Sequence, residues 1–174
     1  MRVIGLAGWS GSGKTTLLTK AIPRLVERGL RVSTLKHAHS GFDVDKPGKD
    51  SHTHRMAGAS EVLVASPVRW ALVNELRGAP ELTLRELLGK FTPVDLLVIE
   101  GFKRQSHPKL EVHRAAIGKP LIHPDDPHVV AIAADRPVPG AKVPVVDLDD
   151  IEAVVDILLK YAAPVERVLA SESA

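Results

Sequence analysis

The sequence contains no cysteine, which excludes disulfide bonds and thiolate metal sites. Aromatic residues make up only 3% of the chain, so few rings are available on which nucleic-acid bases could stack. No apolar run approaches the about 20 residues that a membrane-spanning helix needs, and the N-terminal run is too short for a signal peptide. Basic residues outnumber acidic ones by only 23 to 21, so charge does not indicate a nucleic-acid partner. We therefore expect a cytoplasmic protein that binds neither membranes nor nucleic acids.

The 174 residues, 44% of them hydrophobic, suffice for one globular domain with a buried core. Apolar runs of strand length alternate with helical patterns, which indicates an α/β fold with a mostly parallel, twisted sheet flanked by helices. Residues 61–75 read as a β-hairpin-like antiparallel insertion on that sheet, and Asp149 is the predicted cap of the last helix. We expect a single domain over 1–162 and a flexible tail over 163–174. The predicted sheet strands cover 2–8, 31–37, 94–102, 109–114, 128–137 and 143–150.

Residues 8–16, Gly-Trp-Ser-Gly-Ser-Gly-Lys-Thr-Thr, match the pattern G-x-x-x-x-G-K-[ST] of the P-loop, with a strand before them and a helix after. Glycine allows backbone angles at which successive amide groups point at one anion, and the helix N-terminus adds partial positive charge. We expect Lys14 to reach the β- and γ-phosphates, Thr15 to ligate Mg²⁺, and Thr16 to contact the α-phosphate. The candidate nucleotide contacts in this loop are Gly8, Trp9, Ser10, Gly11, Ser12, Gly13, Lys14, Thr15 and Thr16.

A P-loop protein also needs an acidic residue that faces the metal. Glu100 ends the apolar strand Leu-Leu-Val-Ile-Glu, so its carboxylate emerges at the carboxyl edge of the sheet, where ligands bind in such folds. We assign Glu100 to the water shell of Mg²⁺, and Lys14 and Glu100 are the candidate catalytic residues. Asp95 begins the same strand, roughly 17 Å away at strand rise, and is interpreted as a surface charge.

The long polar segment 38–55 follows the second strand, where P-loop proteins keep a nucleotide-sensing segment. Because a loop of this length is usually functional or disordered, we interpret it as a switch that orders around Mg²⁺ or the γ-phosphate. A solvated polar loop is the alternative. Lys49 and Asp50 are its candidate nucleotide contacts, and the candidate metal set is Thr15, Asp50 and Glu100.

The sequence leaves two questions open: which residue recognises the nucleotide base, and whether the histidines bind a metal. The Asn-Lys-x-Asp motif of guanine-selective GTPases has no match; Asp135, which ends a late strand, either accepts hydrogen bonds from guanine N1 and N2 or is a turn residue before Pro137. The pairs His37/His39 and His52/His54 would each place two imidazoles on one side of a strand. Two ligands without a third favour phosphate or partner contacts, or plain surface, over a dedicated metal site.

Three stretches taken together resemble the molybdopterin-guanine dinucleotide biosynthesis protein B family. They are the phosphate loop continued to Leu17, the segment 35–59 with Asp-Lys-Pro-Gly-Lys-Asp-Ser followed by His-Arg-Met-Ala-Gly-Ala, and Leu-Leu-Val-Ile-Glu-Gly-Phe-Lys at 96–103. The phosphate loop alone is generic, whereas the other two stretches are far more specific. The likeness covers most of residues 1–115.

The resemblance implies a P-loop protein that binds GTP with Mg²⁺, hydrolyses it weakly and forms a homodimer. The implied partners are the guanylyltransferase that attaches GMP to molybdopterin and other molybdenum-cofactor enzymes, and the implied role is that of an adaptor or nucleotide carrier. By position, Asp50 lies in the Asp-Lys-Pro-Gly-Lys-Asp-Ser segment, and Glu100 opens the second acidic motif. The strand pair at 61–75 would supply an edge for dimerisation, because exposed strands readily pair with another chain.

Two other functions share these motifs. A small-molecule P-loop kinase would need a mobile, arginine-bearing lid, for which Lys103, Arg104 and Arg114 are candidates. A GTP-dependent metallochaperone would share the strand that ends in Glu100, but such proteins bind metal through cysteine or dense histidine, and here the histidines are scattered. No glutamine or arginine is evident that would position the attacking water, which predicts slow hydrolysis.

Overall fold

The computed structural model describes residues 1–38 and 41–171. Within them a 3₁₀ turn covers Ala115–Ile117, and no helix is both long and apolar enough to cross a membrane. The strands are β1 (Arg2–Ala7), β2 (Val32–Lys36), β3 (Glu61–Ala65), β4 (Trp70–Asn74), β5 (Leu96–Glu100), β6 (Lys109–His113), β7 (Val129–Ala134), β8 (Val145–Asp147) and β9 (Ala163–Pro164), and the helices are α1 (Lys14–Glu27), α2 (Asp50–Met56), α3 (Leu84–Leu88), α4 (Ile151–Tyr161) and α5 (Val165–Ser171).

The predicted parallel sheet is confirmed. Its strands follow the order β2-β5-β1-β6-β7-β8, every neighbouring pair is parallel, and β9 pairs antiparallel with β1. The carboxyl ends of β1, β2 and β5 therefore meet at one edge. Since β1 leads directly into residues 8–16, the phosphate loop lies at that edge, beside the end of β5.

One face of the sheet is covered by α1 and α4. Their apolar sides, including Leu25 and Val155, are fully buried against alternate residues of the strands, such as Ile4 and Val98. The apolar spacing along each helix explains this packing, because residues three and four apart share one side. Pro23 is accommodated inside α1, and Gly29, at φ 82°, closes that helix as predicted.

The other face of β6 carries buried polar groups. Lys109 and Glu111 in β6, and His107 two residues before it, are at most 1% exposed. The Lys109 ammonium donates to the Asp126 carboxylate at 2.8 Å, and both Glu111 carboxylate oxygens accept backbone N–H groups, those of Ile122 and His123. The segment that follows the 3₁₀ turn is thereby fixed over the polar face of this strand.

Two compact units are distinguishable. One contains Met1–His37 and the described residues from Leu87 onward; the other contains the described residues between Ala38 and Glu86. A single domain over 1–162 stays a prediction. The expected hairpin is present as β3 and β4, antiparallel, but it forms a two-stranded sheet of its own and is not an addition to the parallel sheet.

Three local expectations need correction. The segment 38–55 is not a loop throughout, because α2 begins at Asp50. The cap of α4 is Asp150, whose carboxylate accepts from the Ala153 N–H at 3.0 Å, and not Asp149. The segment from 163, expected to be a flexible tail, forms β9 and α5 through Ser171, because Val168 is buried and β9 pairs with β1.

His107 predicts an acid-sensitive fold. Burial, followed by the nearby Lys109 charge, lowers the pKa of His107 to about 4, and among the described residues its ring nitrogens have no hydrogen-bond partner. The unfolded chain, with a histidine pKa of about 6.5, binds the proton first as pH falls. Stability should therefore decline between about pH 6.5 and 4, by roughly 3 kcal/mol in total. Urea unfolding of His107→Leu across this range should show a clearly smaller decline; an unchanged decline would assign the acid sensitivity to other groups.

Candidate functional site

The phosphate loop is shaped by three glycines in backbone conformations that other residues rarely adopt. Gly8, Gly11 and Gly13 have φ values of 147°, 81° and 92°. A Cβ on Gly8 would also lie 2.6 Å from the Val112 carbonyl oxygen. All three glycines are therefore favoured by their dihedral angles, as the motif predicts, and Gly8 is required by space as well.

Lys14 is half-buried inside this loop. Its Nζ donates to the carbonyl oxygens of Gly8 and Trp9, each at 2.9 Å. Burial lowers the pKa of Lys14, the Glu100 charge opposes that change, and Lys103 and Lys36 add to it. An ammonium held this way lies at the mouth of the loop, with neighbouring positive charges that favour binding of an anion.

The acidic partner predicted for the metal lies beside the loop. The Thr15 hydroxyl donates to Glu100 Oε1 at 3.3 Å, and Glu100 is only 8% exposed. A hydroxyl and a carboxylate oxygen at the end of a phosphate loop suit a hard divalent cation such as Mg²⁺, either directly or through its water shell. Asp95 lies at the other end of β5, where it accepts from the Arg31 N–H, so it is remote from this pair.

The backbone after β5 is tightly constrained. Gly101 has φ 100°, and a Cβ there would lie 2.6 Å from Cβ of His37. Phe102 adopts φ 49°, uncommon for a bulky residue, and its ring lies 4.4 Å from that of His37. The turn at Glu100-Gly101-Phe102 is therefore locked, which fixes the direction in which Lys103 leaves the strand.

The histidine pairs are not arranged as expected. His37 contacts Phe102, while His39 lies outside the described residues. His52 and His54 lie on α2, where residues two apart point to different sides, so the strand argument for a shared ligand direction does not apply to them. Among the described residues there is no group of three or more histidine, aspartate or glutamate side chains able to hold a metal ion.

Trp9 projects from the loop toward the segment after the 3₁₀ turn. Its indole Nε1 donates to the Pro120 carbonyl oxygen at 2.7 Å. The Lys103 and Lys119 ammonium nitrogens lie 5.4 and 5.9 Å from the centroid of the indole ring. Sequence reasoning missed Lys119 and Pro120, because their only signal was a position after a glycine turn far along the chain.

Arg114 was considered only as part of a kinase lid, but it follows β6 and lies against the phosphate loop. A Cβ on Gly13 would lie 3.1 Å from its Nε. The neighbouring Ala115 N–H donates to Asp135 Oδ1 at 2.9 Å, and this bond lowers the pKa of Asp135. One of the two Asp135 carboxylate oxygens is therefore already engaged. Asp135 also lines a concavity of about 260 Å³ with Arg136 and Asp147.

The remaining predicted contacts belong to the other compact unit. Lys49 caps α2, and Asp50 is its first residue; both are exposed and line a concavity of about 700 Å³ beside β3. The Arg55 guanidinium binds three carboxylates, those of Asp43, Asp45 and Glu75, at 2.7 to 2.9 Å. Arg55 thus ties the polar segment to α2 and to Glu75, the residue after β4, within this unit. The contact of Lys49 and Asp50 with a nucleotide stays a prediction.

The site can be compared with known proteins. A family model described as Molybdopterin guanine dinucleotide synthesis protein B, MobB, matches residues 3–135, about three quarters of the chain. The chain belongs to the MobB family. The matched range contains the phosphate loop, Glu100 and Asp135, so the MobB match includes every site residue predicted above.

Two curated relatives and a crystal structure support the MobB assignment. Molybdopterin-guanine dinucleotide biosynthesis adapter protein of Escherichia coli (strain K12) is 41% identical over 91% of this chain and 92% of its own length. The protein of the same name from Haemophilus influenzae is 44% identical over 78% of this chain and 76% of its own length. A crystal structure of molybdopterin-guanine biosynthesis protein B superposes with a TM-score of 0.72 at 27% identity, covering 91% of this chain and 98% of the other. The resemblance and the P-loop α/β fold expected from the sequence are thereby confirmed.

Proposed function

We propose that this MobB-family chain binds GTP with Mg²⁺ on residues 8–16 and acts as a cytoplasmic adapter in the biosynthesis of molybdopterin guanine dinucleotide. The adapter role is supported by family membership and by relatives named as adapter proteins. The observation that supports nucleotide binding is the hydrogen bond between Thr15 and Glu100, beside a loop whose glycines at 8, 11 and 13 have positive φ. Its partner is the guanylyltransferase that attaches GMP to molybdopterin, with other molybdenum-cofactor enzymes.

The residues present fit Mg²⁺ and a nucleoside triphosphate. Thr15 and Glu100 would hold the cation, which neutralises phosphate charge when bound. Lys14 would exchange its two carbonyl partners for phosphate oxygens. Asp135 has one carboxylate oxygen free of the Ala115 bond and would accept from the guanine base.

Hydrolysis is proposed to be slow. Lys14 supplies positive charge, and Arg114 is a second cation against Gly13, but an attacking water also needs a positioned acceptor. Glu100 already accepts from Thr15. Triphosphate binding, more than turnover, is therefore the property a partner enzyme would recognise.

Calorimetric titration with GTP, GDP and ATP, each with and without Mg²⁺, tests the proposal. We expect GTP to bind more tightly than ATP, and Mg²⁺ to strengthen triphosphate binding. Glu100→Gln should remove most of the Mg²⁺-dependent part, reducing GTP affinity about tenfold in Mg²⁺ and little without it. Asp95→Asn at the opposite end of β5 is the matched control. Equal Mg²⁺ dependence in Glu100→Gln and the native protein would contradict the metal assignment.

The hairpin supplies the proposed homodimer contact. On one face of β3 and β4, Leu63 pairs with Leu72 and Ala65 with Trp70, and Leu63, Leu72 and Trp70 are 62%, 49% and 71% exposed. A two-stranded sheet of this kind is marginal on its own, and an exposed apolar face of this kind marks a protein contact. A second copy of the chain is the proposed occupant.

Analytical ultracentrifugation should give a mass twice that of the monomer. Leu72→Lys should shift the native dimer toward monomer by placing a charge in the apolar face. Val26→Lys is the control, because Val26 is an equally exposed apolar residue on α1, at 54%. A Leu72→Lys protein that remains as dimeric as Val26→Lys would exclude the hairpin as the contact.

The kinase alternative loses its structural basis. Its candidate lid, residues 103–114, contains β6, which lies between β1 and β7 with Lys109 and Glu111 buried. A strand held on both sides cannot close over a substrate as a lid does. Within residues 1–38 and 41–171, no group of three or more Asp, Glu or His side chains is placed to hold a metal ion, so nothing there favours a metallochaperone.

A further inference from the structure

An unexplained cluster of charge lies on the outer side of the phosphate loop. It consists of the indole ring of Trp9 and the ammonium groups of Lys103 and Lys119, both within 6 Å of the ring centroid, and is named here the Trp9 rim. Phosphate loops bind their anion through inward-facing backbone amides. The Trp9 indole instead reaches outward to the Pro120 carbonyl. The Trp9 rim therefore presents its positive charge beside the phosphate loop and not within it.

The Trp9 rim is assembled from three separate segments, each of them fixed. Trp9 is anchored by its bond to Pro120. Lys103 follows Phe102, whose φ of 49° is rarely adopted by a bulky residue. Lys119 follows Gly118, which ends the 3₁₀ turn at φ 64°, and the segment beyond it is held by the buried carboxylate of Glu111. The backbone positions of all three segments are therefore constrained by the contacts around them.

The charges of the Trp9 rim are not neutralised by the protein. Among the described residues, no acidic side chain forms an ion pair with Lys103, Lys119 or Lys36. The indole ring attracts each ammonium group but does not cancel its charge, so two cations beside one ring remain available to an anion. One magnesium nucleotide on Lys14 does not account for the cations outside the loop.

We propose that the Trp9 rim binds the phosphate monoester group of a second, small-molecule ligand, next to the nucleotide. A phosphate dianion carries charge and acceptor oxygens enough for both ammonium groups, each within 6 Å of the same ring centroid. The exposed part of the indole, 36% of Trp9, offers an apolar surface to the remainder of the ligand. This inference rests on the proposed function only where it says that a nucleotide is bound next to the Trp9 rim. The Trp9 rim itself does not depend on an occupied phosphate loop.

Trp9 fluorescence provides the test. The chain contains two tryptophans, so Trp70→Phe leaves Trp9 as the only indole. This protein is titrated with glycerol 3-phosphate at constant ionic strength, once saturated with guanosine imidotriphosphate and Mg²⁺ and once, free of nucleotide, in a Lys14→Ala background. Glycerol is the uncharged control. The double variant Lys103→Ala with Lys119→Ala removes the two cations, and Lys90→Ala with Lys142→Ala, exposed residues elsewhere, removes the same charge.

We expect saturable quenching in both states, weakened at least about tenfold by the Lys103 and Lys119 double variant and unchanged by the Lys90 and Lys142 pair. Absence of saturable quenching in both states overturns the proposal. So does a Lys103 and Lys119 variant that binds glycerol 3-phosphate normally but loses affinity for the triphosphate analogue, since those lysines would then serve the nucleotide. Failure of the triphosphate analogue to bind at all would instead contradict the proposed function. The Lys14→Ala titration would still show whether the Trp9 rim binds glycerol 3-phosphate.

Discussion

Replacing Lys14 with alanine is expected to reduce GTP affinity by about 100-fold, which corresponds to about 2.7 kcal/mol. The Lys14 ammonium already lies inside the loop, bonded to the Gly8 and Trp9 carbonyls at 2.9 Å. Triphosphate binding would replace the two neutral carbonyl acceptors with anionic phosphate oxygens, so that each bond joins opposite charges. Alanine removes the charge and leaves the phosphates with backbone amides alone. Isothermal titration calorimetry measures the change directly.

The same substitution should leave the fold intact. Lys14 is only half-buried, and the two carbonyls it releases lie at the open mouth of the loop, where water can replace the lost donor. Urea unfolding should therefore give a free energy within about 1 kcal/mol of the native value. Lys142→Ala, at an exposed residue far along the chain, controls for loss of one positive charge. GTP binding equal to that of the control would contradict the role of the phosphate loop.

Local chemistry explains why much of the site could be predicted. The glycines at positions 8, 11 and 13 are required by backbone angles that depend on their immediate neighbours. The strand before them and the apolar spacing after them define the loop's context. Glu100 was found because an apolar run in a parallel sheet must end at the ligand-binding edge. The hydrogen bond of Thr15 to Glu100 agrees with that reasoning.

Features that depend on distant segments could not be read from the pattern. From His107 into β6, polar His107, Lys109 and Glu111 alternate with Pro108 and Leu110. Period-two alternation is typical of a strand with one face in water. Here the segment around Ile122 and Asp126 covers that face, so the polar residues are buried. The burial of these polar residues depends on the path of the chain after the 3₁₀ turn. No local sequence pattern predicts which strand a turn-rich segment will cover.

Helix starts illustrate the same limit on a smaller scale. Asp149 and Asp150 are adjacent and chemically alike, so propensity cannot choose between them as the cap of α4. The choice follows from the path of β8 into the turn: the Asp147 carboxylate accepts from the Asp149 N–H, and Asp150 is left to accept from Ala153. The prediction was wrong by one residue, because a neighbouring side chain determined the turn.

Glu111→Ala is expected to destabilise the fold by about 3 kcal/mol. Glu111 is fully buried, and its carboxylate accepts from the Ile122 N–H at 2.7 Å and the His123 N–H at 2.9 Å. Alanine leaves two part-buried donors without this acceptor, and a buried donor without an acceptor costs roughly 1–3 kcal/mol. Relief from burying a charged group offsets part of this cost. Urea unfolding monitored by far-UV circular dichroism gives the difference in free energy.

Two further variants separate the buried bonds from a general effect of losing a glutamate. Glu111→Gln keeps one acceptor oxygen and should lose about half as much stability as alanine, since only one of the two N–H groups is left without an acceptor. Glu152→Ala removes a carboxylate that contacts Arg24 and Arg28 on the surface, and exposed ion pairs of this kind contribute about 1 kcal/mol or less. If Glu111→Ala were no more destabilising than Glu152→Ala, the segment at 122–123 would not depend on this carboxylate. We expect the free energy of unfolding to rise from Glu111→Ala through Glu111→Gln to the native protein, with Glu152→Ala close to native. That order would identify Glu111 as the residue that fixes this segment beside Trp9 and the phosphate loop.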